Sequence, residues 1–245
     1  MTGILQAQGG WIRRVLVLAL FAAAFGYVES AVVVYLRVVY DPLRASLHPG
    51  QPEGSLLPLI TLEELREADP GHVHRLGIEL GRELATLVML AAVAALARRR
   101  RGEWIAMFLI AFGVWDLAYY LGLKAMIGFP ASLLTWDILF LIPVPWLGPV
   151  LAPVLVALTM IVAGILVLAA IARGRPLRAT AWHWAAVLAG AVIIVVSFTW
   201  DYGQTMAGKM PERFCWVLFG AGLLLALLAF VHALRRAVVV PDASA

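Results

Sequence analysis

A chain of 245 residues that is 63% hydrophobic and only 14% charged is no soluble domain, since about a quarter of the residues in a soluble domain carry charge. Its mean hydropathy of +0.91 and several apolar runs longer than the roughly 20 residues that cross a bilayer predict an all-α, polytopic membrane bundle with the lipid bilayer as its first partner. The single cysteine, Cys215, excludes an internal disulfide and multi-cysteine metal or redox motifs. The net charge of +4 reflects arginines at the span ends and calls for no nucleic-acid partner.

The first span is predicted over 15–40, starting behind Arg13 and Arg14 and stopping at Asp41-Pro42. Its basic start and "VLVLALFAAAF" resemble a signal peptide, but the apolar run continues past Glu29 to Tyr40, too long for an ordinary leader core. Residues 41–70 are expected to form the one sizeable outer loop. Within it, Thr61 followed by Glu64 is a capping-box pattern that predicts a short helix. The second span is predicted over 72–97, closing on Arg98 to Arg101, and the third over 104–127, closing on Gly128-Phe129-Pro130. The next connection, "ASLLTWDILFLIPVPWLGP", is apolar, yet Pro143, Pro145 and Pro149 forbid a continuous helix. A short interfacial or re-entrant helix is expected there, with Trp136 and Trp146 as interface anchors. The fourth, fifth and sixth spans are predicted over 147–172, 179–200 and 214–234, in one integral membrane domain of 1–245.

The cations collect at alternate span ends: Arg13 and Arg14, Arg98 to Arg101, Arg173, Arg175 and Arg178, then Arg235 and Arg236. The positive-inside rule then predicts an inner-membrane protein with both termini in the cytoplasm and the 41–70 loop outside.

Two stretches resemble each other: "AFGYVESAVVVYLR" from Ala24 and "AFGVWDLAYYLGLK" from Ala111. Both set an acid five residues after the first alanine, Glu29 in one and Asp116 in the other. The sequence "FTWDYG" around Asp201 is a weaker echo. Repeated helical hairpins are one reading; chance likeness between apolar helices is the other.

Depth gives these acids a common level. Glu29 lies 15 residues beyond Arg14, Asp116 15 beyond Arg101, and Glu83 15 before Arg98. At 1.5 Å per residue each sits about 22 Å from the arginines, in the outer half of a hydrocarbon core about 30 Å thick. On the second span His72, Arg75, Glu79, Arg82 or Glu83, and Thr86 recur every three or four residues, forming one polar stripe that stops at that level. This pattern predicts a pocket open to the outer face and sealed toward the cytoplasm. Glu29, Glu79, Arg82, Glu83 and Asp116 would line it, with Tyr119, Tyr120, Lys124, Asp137 and Asp201 at its mouth.

A charge at such depth costs about 2.5–3.5 kcal/mol on insertion scales, so something must offset it. A buried network of Glu29, Arg82 and Asp116 with Glu83 protonated would do so. The excess of acid over base points instead to a small cationic ligand. There is no Glu-x-x-His pair for a di-metal bundle site, and His72, Glu79 and Glu83 are the only weak candidates for metal ligation. His183 and His232 are expected at the inner ends of their spans, away from the pocket. No nucleophile or phosphate-loop motif appears, so no catalytic residue or cofactor is assigned. Three classes follow: a protein that binds or moves a small cationic solute or protons; an accessory or assembly subunit whose ion pairs serve a membrane-protein partner or a homo-oligomer; and a membrane-embedded enzyme using carboxylate acid–base chemistry. The first accounts best for the surplus acid.

Overall fold

The structure, a computed structural model, describes residues 2–51, 56–209, 211 and 213–236. Its elements in chain order are α1 (Thr2–Leu47), α2 (Leu62–Ala68), α3 (Pro70–Ala97), a short 3-10 turn (Arg101–Glu103), α4 (Trp104–Ile127), β1 (Trp136–Phe140), β2 (Trp146–Pro149), α5 (Leu151–Ala172), α6 (Ala181–Thr199), α7 (Tyr202–Met206) and α8 (Trp216–Arg235). Six of the helices are long and apolar enough to cross a membrane, which makes this a multi-pass membrane protein. The bundle has an arginine face, holding the turn from α3 to α4, and a loop face, holding α2 and the β strands.

The stop expected at Asp41-Pro42 does not occur. Proline removes one i to i−4 bond, yet α1 carries Pro42 and runs on to Leu47. The extra turn is held from its side chains: Arg44 is buried and pairs with Asp41 at 3.1 Å. The connection expected over 41–70 therefore begins only after Leu47 and runs over 48–69 with α2 inside it; residues 52–55 lie outside the described residues. The capping box forms as the sequence indicates. The Glu64 N–H donates to Thr61 Oγ1 at 3.2 Å, and the Thr61 N–H donates to Glu64 Oε2 at 2.7 Å.

The re-entrant helix expected before the fourth span is replaced by an antiparallel ribbon. β1 pairs with β2 in the register Trp136 to Pro149, Asp137 to Gly148, Ile138 to Leu147 and Phe140 to Trp146. Pro143 and Pro145 fall between the strands, and Pro149 ends the second, positions where a missing N–H costs no ladder bond. Cross-strand pairing satisfies the polar backbone in place of a helix. The bundle is thus helical with one two-stranded ribbon, not purely α.

Helix α4 is the hub. It packs extensively on α1 and on α5, while α6 and α8 form a second tight pair. Small residues permit the close approach, as membrane helices require. A Cβ on Gly26 would lie 2.5 Å from the Trp115 carbonyl oxygen, and one on Gly113 would lie 2.6 Å from that of Ala157. Each glycine of the two Ala-Phe-Gly motifs therefore seats its helix on a neighbour. The packing nevertheless does not repeat: α4 and α5 pack over a long seam, but α1 and α3 touch only slightly. Leu18, Ala22, Leu90, Met107, Ile110 and Trp115 form the largest buried apolar cluster.

Candidate functional site

Helix α3 has no seam with α5 or α6 to match its packing on α4. The space between them is a cavity of about 640 Å³, within the range of small-molecule sites. Along α4 its lining runs from Phe108 to Tyr120, twelve residues, or about 18 Å of helix. Toward the arginine face the wall is apolar, built from Phe108, Phe112, Val156, Ala157, Met160 and Ala191. Toward the loop face it carries six carboxylates, Glu29, Asp41, Glu79, Glu83, Asp116 and Asp137, against three arginines, Arg37, Arg44 and Arg82. The segment Leu56–Ile60, α2 and the β ribbon roof it.

The charged groups divide by what they touch. Arg82 joins α1 to α3: one guanidinium nitrogen meets Glu29, another meets Glu79, and Nε donates to Glu79 Oε2 at 2.9 Å. Thr86 Oγ1 donates to Glu29 Oε2 at 3.5 Å. The expected network of Glu29, Arg82 and Asp116 is thus replaced by one in which Glu79 takes the third place. Being three residues from Arg82 on the same helix, Glu79 reaches it without a second backbone being positioned.

Glu83 turns to the ribbon. Both of its carboxylate oxygens accept from the Leu141 N–H, at 3.2 and 3.0 Å, so an acid of α3 holds the turn of the roof. Asp137, on β1, is 2% exposed and accepts from the Tyr120 hydroxyl at 3.1 Å. Burial pushes its carboxyl up to about 6. Asp116 lines the same space without a hydrogen bond or ion pair to any described residue. Tyr119 and Tyr120 meet edge to face, with ring centroids 5.0 Å apart.

Two predicted residues are elsewhere. Lys124 Nζ donates to the carbonyls of Gly128 at 3.0 Å and Pro130 at 2.8 Å, capping its own helix. Asp201 borders a separate small depression with Tyr202 and Arg213. The weak metal set does not assemble: His72 Nδ1 lies 3.1 Å from Arg75 and its ring packs on Tyr40, while Glu79 and Glu83 face Arg82 and Leu141. No group of three possible metal ligands occurs among the described residues. His183 and His232 meet at the arginine face, Nε2 to Nδ1 at 2.9 Å.

Sequence reasoning missed Arg37, Tyr40, Asp41 and Arg44, which all line the cavity. The signal was present. Glu29, Val33, Arg37, Tyr40 and Arg44 follow helical spacing of three and four, but a helix ended at Pro42 hides the last of them.

Comparison with family models, with curated proteins and with solved structures finds no match to this chain.

Proposed function

We propose that the protein captures an amphiphile carrying a basic group, with its apolar body in the lower chamber and its nitrogen among the carboxylates. The observation that carries this reading is the division of the one cavity into an apolar floor and an acid-rich rim. A site for a bare cation or proton has no use for a floor of phenylalanine, methionine and valine. A conducting path would need polar groups below Thr86, where the lining is apolar. By the positive-inside rule the arginine face is cytoplasmic, so the acid-rich rim lies under its roof toward the outer side of the inner membrane, and its guest stands as an outer-leaflet lipid stands. The reading as an ion-pair scaffold for a partner subunit accounts for Glu29, Arg82 and Glu79, but leaves Asp116 without a role.

Binding of n-alkylamines from butyl to octyl, measured calorimetrically on the full chain in a maltoside detergent, tests this. Burial of each methylene is worth about 0.8 kcal/mol, so affinity is expected to rise about three- to fourfold per carbon. Asp116→Asn should weaken the whole series. Tetramethylammonium binding as tightly as octylamine would return the site to small cations. A series indifferent to Asp116→Asn would remove the acid from the site.

A further inference from the structure

Two arginines of the cavity keep buried nitrogens without a hydrogen-bond partner among the described residues. Arg37 lies over the Phe129 ring, 4.3 Å from its centroid, and its Nε and Nη2 are buried without a hydrogen-bond partner among the described residues. The Arg44 side chain is 10% exposed; Nη1 meets Asp41, while Nε is buried and unpartnered among the described residues. Seven residues separate them on α1, which puts both on one face, about 10 Å apart along the axis. Two further buried donors on the same cavity also lack an acceptor among the described residues, the indole N–H groups of Trp115 and Trp146. The carboxylates do not relieve this deficit: Glu29 and Glu79 are held by Arg82, Glu83 by Leu141, and Asp137 by Tyr120.

A buried unsatisfied donor costs about 1–3 kcal/mol, and more when charged, so a fold leaves five in one chamber only where something accepts from them. Guanidinium groups match the oxygens of a phosphate, which can take two parallel N–H bonds from each fork. We infer that Arg37 and Arg44 form an anion half-site for a phosphate group, beside the acid-rich half. The inference rests on the reading above and deepens it: the guest is then zwitterionic, with phosphate oxygens on α1 and its basic nitrogen toward Asp116. A phosphate ester of a lipid and a free phosphate share this chemistry. The apolar floor favours the lipid.

The test uses the full chain in maltoside micelles, which contain no phosphate, with three probes: inorganic phosphate, dodecyl phosphate and octylamine. Dodecyl phosphate is expected to bind, and Arg37→Gln or Arg44→Gln to weaken it at least tenfold, with Arg37→Lys retaining part of the affinity. Binding of dodecyl phosphate but not inorganic phosphate assigns the half-site to a lipid. Equal binding of both assigns it to free phosphate, and either result upholds the arginine site. Circular dichroism and melting of Arg37→Gln no worse than wild type show that the variant is folded, and octylamine binding to the wild type reports the acid half. Dodecyl phosphate bound equally by wild type and both glutamine variants overturns the inference. If octylamine also fails to bind, the amphiphile reading falls with it; if octylamine binds, that reading stands alone.

Discussion

Arg14 and Arg37 stand on one helix and face opposite ends of the molecule. At the arginine face every nitrogen of Arg14 is engaged: Nε donates to the Gly10 carbonyl at 3.3 Å, Nη1 to the Ala97 carbonyl at 2.8 Å and to Glu103 Oε2 at 2.7 Å, and Nη2 to Glu103 Oε1 at 3.4 Å. Glu103 in turn accepts from the Arg99 N–H at 2.8 Å. One side chain thereby ties α1 to the turn between α3 and α4. Arg37 has a ring beneath it and two idle nitrogens. A guanidinium with every donor used is a staple, and its worth is stability. One held in place with donors unused contributes little to the fold, and its worth lies in what it meets.

The comparison can be broken most sharply at Arg82, which resembles Arg14. Arg82→Leu strands Glu29, which is 7% exposed, and is expected to destabilise the fold by about 3–5 kcal/mol, as breaking a buried pair does. Wild-type thermal stability in detergent at neutral pH would show that Arg82 is no staple. Next comes the pair itself. Arg14→Gln should cost about 2–3 kcal/mol by leaving Glu103 unpaired, whereas Arg37→Gln, which removes two buried unpartnered nitrogens, should not destabilise the ligand-free fold and is expected to stabilise it by about 1 kcal/mol. Equal losses in chemical denaturation would erase the distinction.

Asp137 gives a smaller effect with a definite sign. Its folded carboxyl titrates at about 6 against an ordinary 3.8, so the folded state binds more protons than the unfolded state between these values. Stability therefore falls as pH rises through that window and stays lowered above it. The loss specific to Asp137 is about 2–3 kcal/mol between pH 4 and 7, and Asp137→Asn should abolish it; parallel pH profiles for the two proteins would contradict this. The smallest effect is expected at Lys124. Lys124→Met removes two carbonyl contacts at a helix end, costs about 1 kcal/mol, and should leave octylamine affinity unchanged. A tenfold loss of that affinity would place Lys124 back at the site.

Hydropathy located all six long helices because a bilayer imposes length and polarity on each one separately. That Glu29, Glu83 and Asp116 come to one cavity was also legible, by counting 1.5 Å per residue from flanking arginines. Depth does not give azimuth, however. Glu29, Glu83 and Asp116 line one cavity, yet Arg82 meets Glu29 and Glu79 while Glu83 meets the Leu141 backbone. The ribbon was hidden because "WDILF" and "WLGP" are half-buried to buried on both faces, so no alternation of polar and apolar residues marks them as strands. Arg44 lies beyond the stop expected at Asp41-Pro42, whereas Arg37 lies inside the expected first span, two helical turns from Glu29, and was legible there.

The pairing of α6 with α8 has a mechanical consequence. A Cβ on Gly190 would lie 2.6 Å from the Gly222 carbonyl oxygen, and one on Gly222 would lie 2.7 Å from that of Gly190. The two helices are therefore in backbone contact and move as a single plank. That plank meets the rest of the bundle along much slighter seams, with β2 and with α5. Bound this way, the plank would shift against the bundle as a unit before its two helices part. An alanine at Gly190 would split the plank along its length and let acyl chains wedge between the halves, softening one wall of a chamber whose other walls are untouched.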